Sequence, residues 1–181
     1  MNKISKIATP ITATVTEPQN MSLDHRQKFI DAMSCVGSSV NVITTDGPAG
    51  RGGLTVTAMS SVSADGEAPV LLVCVHHLSR NINTILENGV FCVNVLNETQ
   101  SNIADRFAGR SEEDRFSSDS WVPMKTGAPR LENPLVAFDC RISQSQRMET
   151  HHVLFGDVED VFKGGIGLPL IYANRAYAKI Q

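Results

Sequence analysis

Hydrophobic residues along this chain follow three patterns, and each predicts a different kind of element. Residues 1–24 show no period and are rich in Thr, Pro, Asn and Ser, which predicts a mobile N-terminal arm. Over residues 25–36, Phe29, Met33 and Val36 share one helical face, with Asp24 as N-cap and Gly37 as the stop. Residues 40–45 are β-branched and end at the turn sequence Asp46-Gly47-Pro48. Residues 54–63 alternate as one strand, with Leu54, Val56, Ala58 and Val62 on one face and Thr55, Thr57, Ser61 and Ser63 on the other. The near-continuous apolar runs 70–75 and 90–96 predict strands covered on both faces. Residues 135–142, 153–161 and 170–178 predict three more strands. Helices are predicted over 79–88, capped by Ser79 and Gly89, and over 99–108, closed by Gly109.

About seven strands with three short helices do not make a βαβ chain. They predict a mainly β fold, a closed antiparallel barrel with helices at its ends and sides. The 181 residues divide into the arm, 1–24, and one domain, 25–181. With 41% hydrophobic and 19% charged residues, that domain can bury a core. A formal charge of -3 without a basic cluster argues against nucleic acid. No apolar run has the length of a membrane span, and no apolar stretch follows Lys3 and Lys6 to make a secretory leader. Cys35, Cys74, Cys92 and Cys140 form no CxxC pair and lie in apolar segments, as buried free thiols of a reducing cytoplasm would.

The usual nucleotide-binding motifs, GxGxxG and GxxxxGK[ST], are absent. Gly50-Arg51-Gly52-Gly53 precedes a strand and reads as a hairpin loop. His76-His77 and His151-His152 suggest a metal, but strand neighbours point to opposite faces, so no metal site is predicted. The hydroxyl face of Thr55, Thr57, Ser61 and Ser63 suits either a neutral polar ligand or plain solvent. Ser79-Arg80-Asn81 combines a hydroxyl, a guanidinium and helix-terminal amides, a set that suits a phosphate, or else an ordinary cap followed by a surface arginine.

Several segments, in order, resemble the short-chain flavin reductases of two-component monooxygenases. They are FIDAMSCVGSSVNVITTDGPAGRGG (29–53), LTVTAMSSVS, LLVCV, FCVNVLN, DRFAG (105–109), DRF (114–116), Trp121, FDCRIS (138–143) and PLIYANRAY (169–177). The resemblance spans residues 25–180 and is greatest to the reductases of pyrimidine-utilisation and 4-hydroxyphenylacetate 3-monooxygenase systems. It implies a split β-barrel with a Greek-key core, acting as a cytoplasmic homodimer. It implies that NADH, or NADPH in some members, reduces FMN or FAD, and that reduced flavin diffuses to a separate oxygenase component.

The resemblance also implies roles for individual residues. Gly53, Leu54 and Thr55 would line the flavin ring, with Thr57 and Ala58 just beyond. Val75 and His76 would lie beside the flavin chain, and Ser79, Arg80 and Asn81 would hold its phosphate. Arg106 and Phe107 would contact flavin at the groove. His151 would be the catalytic histidine near the nicotinamide, with Tyr172 and Arg175 closing that side. The family's glycine before this histidine pair is Glu149 here, in Glu149-Thr150-His151. Three alternatives stay open: a flavoprotein that keeps its FMN and oxidises its own substrate, a flavin-binding module without turnover, and a plain interaction barrel.

Overall fold

The computed structural model describes residues 22–109, 114–117, 119–178 and 180. Residues 1–21 of the expected arm lie outside the described residues. The chain divides into two units, Met1–Met33 and Ser34–Gln181. Helix α1 (Leu23–Ser34) makes up the described part of the first unit and ends at the start of the second. It begins before His25 and stops short of Val36, and it carries an exposed Lys28–Asp24 pair at 2.7 Å, one helical turn apart. Phe29 and Met33 are exposed.

The second unit runs β1 (Ser38–Ser39), β2 (Asn41–Thr45), β3 (Gly52–Val56), β4 (Met59–Ser63), β5 (Val70–His76), α2 (Ile82–Asn88) and β6 (Val90–Val95). It continues with α3 (Ser101–Phe107), β7 (Trp121–Pro123), β8 (Pro129–Leu131), β9 (Val136–Met148), β10 (His151–Lys163), β11 (Ile171–Ala173) and β12 (Ala176–Ala178). Seven strands form one antiparallel sheet in the order β3-β2-β6-β9-β10-β5-β4. The β9–β10 hairpin lies between β5 and β6, so the chain crosses over it through α2, a Greek-key connection.

The two edge strands of this sheet, β3 and β4, are neighbours in sequence, joined only by Thr57 and Ala58. Laid flat, seven strands would separate their edges by about 29 Å. The link from Val56 to Met59 reaches about 10 Å at most. The sheet must therefore roll until its edges meet. No hydrogen-bonded ladder joins β3 to β4, so the roll is split along that line rather than closed. This corrects two expectations, the closed barrel and the single strand over 54–63. The strand breaks because Thr57 and Ala58 turn the chain from one edge to the other.

Inside the roll, Ile43, Val73, Phe91, Val93 and Leu154 form the main core, all fully buried. The run at 90–95 is buried at every position, as expected of a strand covered on both faces. β5 departs from that expectation. Leu71, Val73 and Val75 are buried, whereas the alternate residues are half-buried or exposed, because only one face of β5 is turned to the core. A second core packs Ile103 and Phe107 of α3 with Val40, Val42 and Leu96. Asn94, fully buried, donates to Val42 O and Thr44 Oγ1 at 3.2 Å and accepts from Leu131 N–H at 2.7 Å, which docks β8 onto the sheet.

Two connections are tighter than the pattern predicts. Residues 170–178 form a hairpin, β11–β12, whose turn residues Asn174 and Arg175 have φ of 51° and 61°. Left-handed backbone at both turn positions matches the right-handed twist of the strands it joins. β9 and β10 extend to 13 residues each and meet at Glu149-Thr150, where Glu149 has φ of 50°. A side chain in that region costs roughly 1–2 kcal/mol that glycine does not incur. Glu149→Gly should therefore raise stability by about 0.5–1 kcal/mol after glycine's own entropic cost is deducted. The readout is the urea midpoint at unchanged slope. The Arg147 Nε bond to Glu149 O, at 3.1 Å, uses backbone and survives the change. A lower midpoint would mean that the glutamate side chain stabilises the turn by more than its backbone strain costs.

Candidate functional site

β3 is held from both sides. The Asn81 Nδ2 amide donates to Gly53 O at 2.6 Å, and the Thr55 hydroxyl donates to Ala104 O, within α3, at 2.7 Å. A Cβ on Gly53 would sit 2.6 Å from the Phe107 ring and 2.9 Å from Ile43 O, so only glycine lets α3 lie this close to the strand. Asn81 stands at the N-cap of α2 without making a side-chain cap bond. The helix begins at Ile82, not Ser79 as the pattern predicts, because the Asn81 amide is used to bridge to β3. Ser79 and Arg80 therefore lie on the connection before α2, and neither side chain engages another group among the described residues.

Beside β3, along the split, lies a cavity of about 580 Å³, within the range of small-molecule sites. Leu54, Thr55, Thr57 and Ala58 line it from β3 and the link, and His76 from the end of β5. Ser79, Arg80 and Asn81 line it from the following connection, Phe107 from α3 and His151 from the start of β10. The structure thus brings together ten of the expected site residues from five parts of the chain. Five others lie outside this cavity. Gly53 and Val75 are buried behind it, and Arg106, 5% exposed, is ion-paired to Asp119. Arg175 is exposed at the β11–β12 turn. Tyr172 lines an adjoining cavity of about 200 Å³ with Tyr177 and Val40, which shares Thr55, Val56, Thr57 and Ala108 with the first.

Val56, Cys74, Ala108, Gly109 and Arg115 also line the larger cavity and were not anticipated. Strand parity could have found Cys74. If Leu71, Val73 and Val75 point into the core, Cys74 and His76 share the opposite face. Burial pushes the Cys74 thiol pKa up, so it lines the wall as neutral S–H. Arg115 carries no local signal beyond its place in the DRF tripeptide, since the lining depends on how the chain returns after α3.

Three imidazoles meet at the cavity mouth. His76 stacks on His77 at 4.8 Å and meets His151 edge-on at 4.9 Å, with His76 and His151 in register across β5 and β10. The expectation that His76 and His77 diverge fails because β5 ends at His76, which frees His77 from strand alternation. His76 Nδ1 accepts from Leu78 N–H at 3.1 Å, so neutral His76 carries its proton on Nε2. Desolvation lowers the His76 pKa from its ordinary value, and His151 and then His77 lower it further. His151 Nδ1 is engaged by the Thr150 hydroxyl at 3.0 Å, and among the described residues Nε2 has no hydrogen-bond partner. Among the described residues no group of three or more His, Cys, Asp or Glu is placed to hold a metal ion.

Among the described residues, two guanidiniums and two imidazoles line the cavity and no carboxylate does. Such a wall selects an anionic ligand. Leu54, Val56, Ala58 and Phe107 supply apolar surface beside it. This donor set fits a flavin nucleotide, a broad ring system with a phosphorylated tail.

Comparison with known proteins agrees with this geometry. Residues 33–181 match the flavin reductase like domain. The FMN reductase (NADH) RutF of Enterobacter cloacae subsp. cloacae is 42% identical over 158 residues, covering 87% of this chain and 95% of that protein. A crystal structure of a candidate flavin reductase from Haemophilus somnus 129PT superposes with a TM-score of 0.79 at 34% identity, covering 85% and 98% of the two chains. The nitrilotriacetate monooxygenase component B homologue from Mycobacterium thermoresistibile gives a TM-score of 0.78 at 27% identity, covering 86% and 87%. With a family match across four-fifths of its length and a cavity lined by two arginines and two histidines along the split of its sheet, this chain belongs to the flavin reductase like domain family.

Proposed function

We propose that this chain is an NADH-dependent flavin reductase that reduces FMN and supplies it to a separate oxygenase component. The cavity along the split, lined by Arg80, Arg115, His76 and His151, carries this reading, together with 42% identity to a relative named FMN reductase (NADH). NADH supplies the hydride and flavin accepts it, so the protein contributes mainly binding and orientation. Ser79 Oγ and the Arg80 guanidinium bind the flavin phosphate, and Asn81, braced on Gly53 O, fixes their connection against β3. Leu54 and Thr55 form the floor for the ring, held by the Thr55–Ala104 bond. Gly53 and Val75 support that floor from behind, and Arg106 holds the loop after α3 through Asp119. His151 Nε2 faces the reacting edge and donates a hydrogen bond as negative charge develops. Tyr172 and Arg175 close the nicotinamide side.

The same reading covers assembly and setting. The nitrilotriacetate relative is a monooxygenase component, which supports a separate oxygenase as the consumer of reduced flavin. Exposed Phe29 and Met33 on α1 support a homodimer. Four free thiols support a reducing cytoplasm. Among the described residues no helix is long and apolar enough to cross a membrane. The unit 25–181 carries the activity, and 1–24 is an appended arm.

NADH oxidation by the full chain, followed at 340 nm, should rise with added FMN and saturate. Oxidation that ignores added FMN, in a protein that keeps a yellow cofactor through purification, would favour a flavoprotein acting on its own substrate. Binding without turnover would leave a flavin-binding module.

Arg80→Ala should weaken FMN about five- to tenfold, the scale of one charge-assisted hydrogen-bonded contact, and leave riboflavin unaffected. Equal loss for both ligands would remove Arg80 from the phosphate site.

His151→Ala should lower turnover at saturating FMN about tenfold or more. The pH consequence has a definite sign. A folded-state pKa below the unfolded value means that His76 stays neutral at pH 7, and that its contribution to stability is lost as pH falls below the ordinary histidine range. By NMR, the His76 midpoint should lie below about 6.5 and move up in His151→Gln, where the neighbouring charge is gone. A midpoint that stays where it was would show that the two rings are electrostatically independent.

A further inference from the structure

Arg115 lines the cavity, yet the reading above gives it no task. It belongs to the Asp114-Arg115-Phe116 tripeptide and sits on the return from α3 to β7. Phe116 braces the segment, packing edge-on against Phe107 at 5.2 Å and Trp121 at 4.9 Å. Phe107 is itself seated against Gly53 on β3. The guanidinium is therefore carried by an aromatic cluster fixed to the cavity floor. Its Nε is buried without a hydrogen-bond partner, and among the described residues Arg115 forms no ion pair. Among the described residues no carboxylate lines the cavity to neutralise it. A desolvated guanidinium nitrogen is costly to leave without an acceptor, and among the described residues none supplies one.

The phosphate of FMN does not fill that need. Ser79 and Arg80 make a monophosphate site on the α2 side of β3, whereas Arg115 comes from the α3 side. We infer that Arg115 binds a second phosphoryl group, so that the cavity takes a ligand carrying a diphosphate as well as the flavin monophosphate. The planar guanidinium fork matches phosphate oxygens in pairs. This inference rests on the flavin reductase reading and deepens it. The diphosphate belongs either to the nicotinamide dinucleotide that donates hydride or to the adenylate half of FAD, and Arg115 is a specificity-determining residue for it.

The test uses the full chain and its Arg115→Ala, Arg115→Lys and Arg80→Ala variants. Binding of FMN, FAD, NAD⁺ and ADP is measured by calorimetry, with Trp121, the single tryptophan, as a fluorescent reporter beside Phe116. Arg115→Ala should weaken ADP and at least one dinucleotide about tenfold or more, while FMN stays within about twofold. Arg115→Lys should recover part of the loss, and Arg80→Ala should show the opposite selectivity. Loss confined to NAD⁺ assigns the hydride donor, loss confined to FAD assigns the adenylate half, and loss of both assigns a shared diphosphate position. FMN, oxidised or reduced, weakened as much as the diphosphate ligands would place the guanidinium on the flavin itself and overturn the inference, as would no change in any ligand. If Arg115→Ala does not fold, the contrast between Arg115→Lys and Arg80→Ala decides the same question. Absence of NADH oxidation in the unaltered protein would defeat the flavin reductase reading, while the FMN and ADP affinities would still decide the role of Arg115.

Discussion

Thr57 and Ala58 join the two edges of a seven-stranded sheet, and the rest of the structure follows from that short link. The sheet cannot lie flat, so it rolls around a core of Val, Leu, Ile and Phe. The edges meet but do not pair, so a groove remains between them. Exposed strand edges are ordinarily a liability for aggregation. Here the edge at β3 is flanked by α3 and by the connection that carries Ser79 and Arg80. The strand edge a sheet must protect thus becomes the wall of a ligand site.

The precision of that wall depends on polar bonds that cross between distant segments. Asn81 reaches Gly53 across 28 positions of sequence, and Thr55 reaches Ala104 across 49. Phe107 occupies the space that a side chain at Gly53 would need. These contacts set the distance between the connection that carries Ser79 and Arg80 and the strand floor. Their loss would leave the residues present but misplaced, and sites of this kind are sensitive to displacements near 1 Å.

The cavity's electrostatics are one-sided. Among the described residues, Arg80, Arg115, His76 and His151 face it and no acidic side chain does. Such a site attracts anionic ligands and speeds their capture. The histidines stay close because β5 ends where β10 begins, which puts His76 and His151 in register. Desolvation first, and then the neighbouring His151 and His77, hold the His76 pKa below its ordinary value.

Much of the fold was legible in the chain itself. Periodicity located most strands and helices, because burial on one face or both leaves a local imprint on residue order. The ordered motifs carried the family resemblance, and with it most of the cavity-lining residues. Local pattern could not show that 54–63 is two strands, because alternation continues through Thr57 and Ala58 while the backbone changes edge. Nor could it show that residues 170–178 fold back on themselves, since two left-handed residues, Asn174 and Arg175, leave no hydrophobic signature. The sequence by itself determined the mainly β class and the apolar runs that make the core, both of which depend on neighbours along the chain. Only the tertiary structure decided that Arg106 is spent on Asp119 while Arg115 and Cys74 line the cavity, because which side chain reaches a groove depends on how distant segments pack around it.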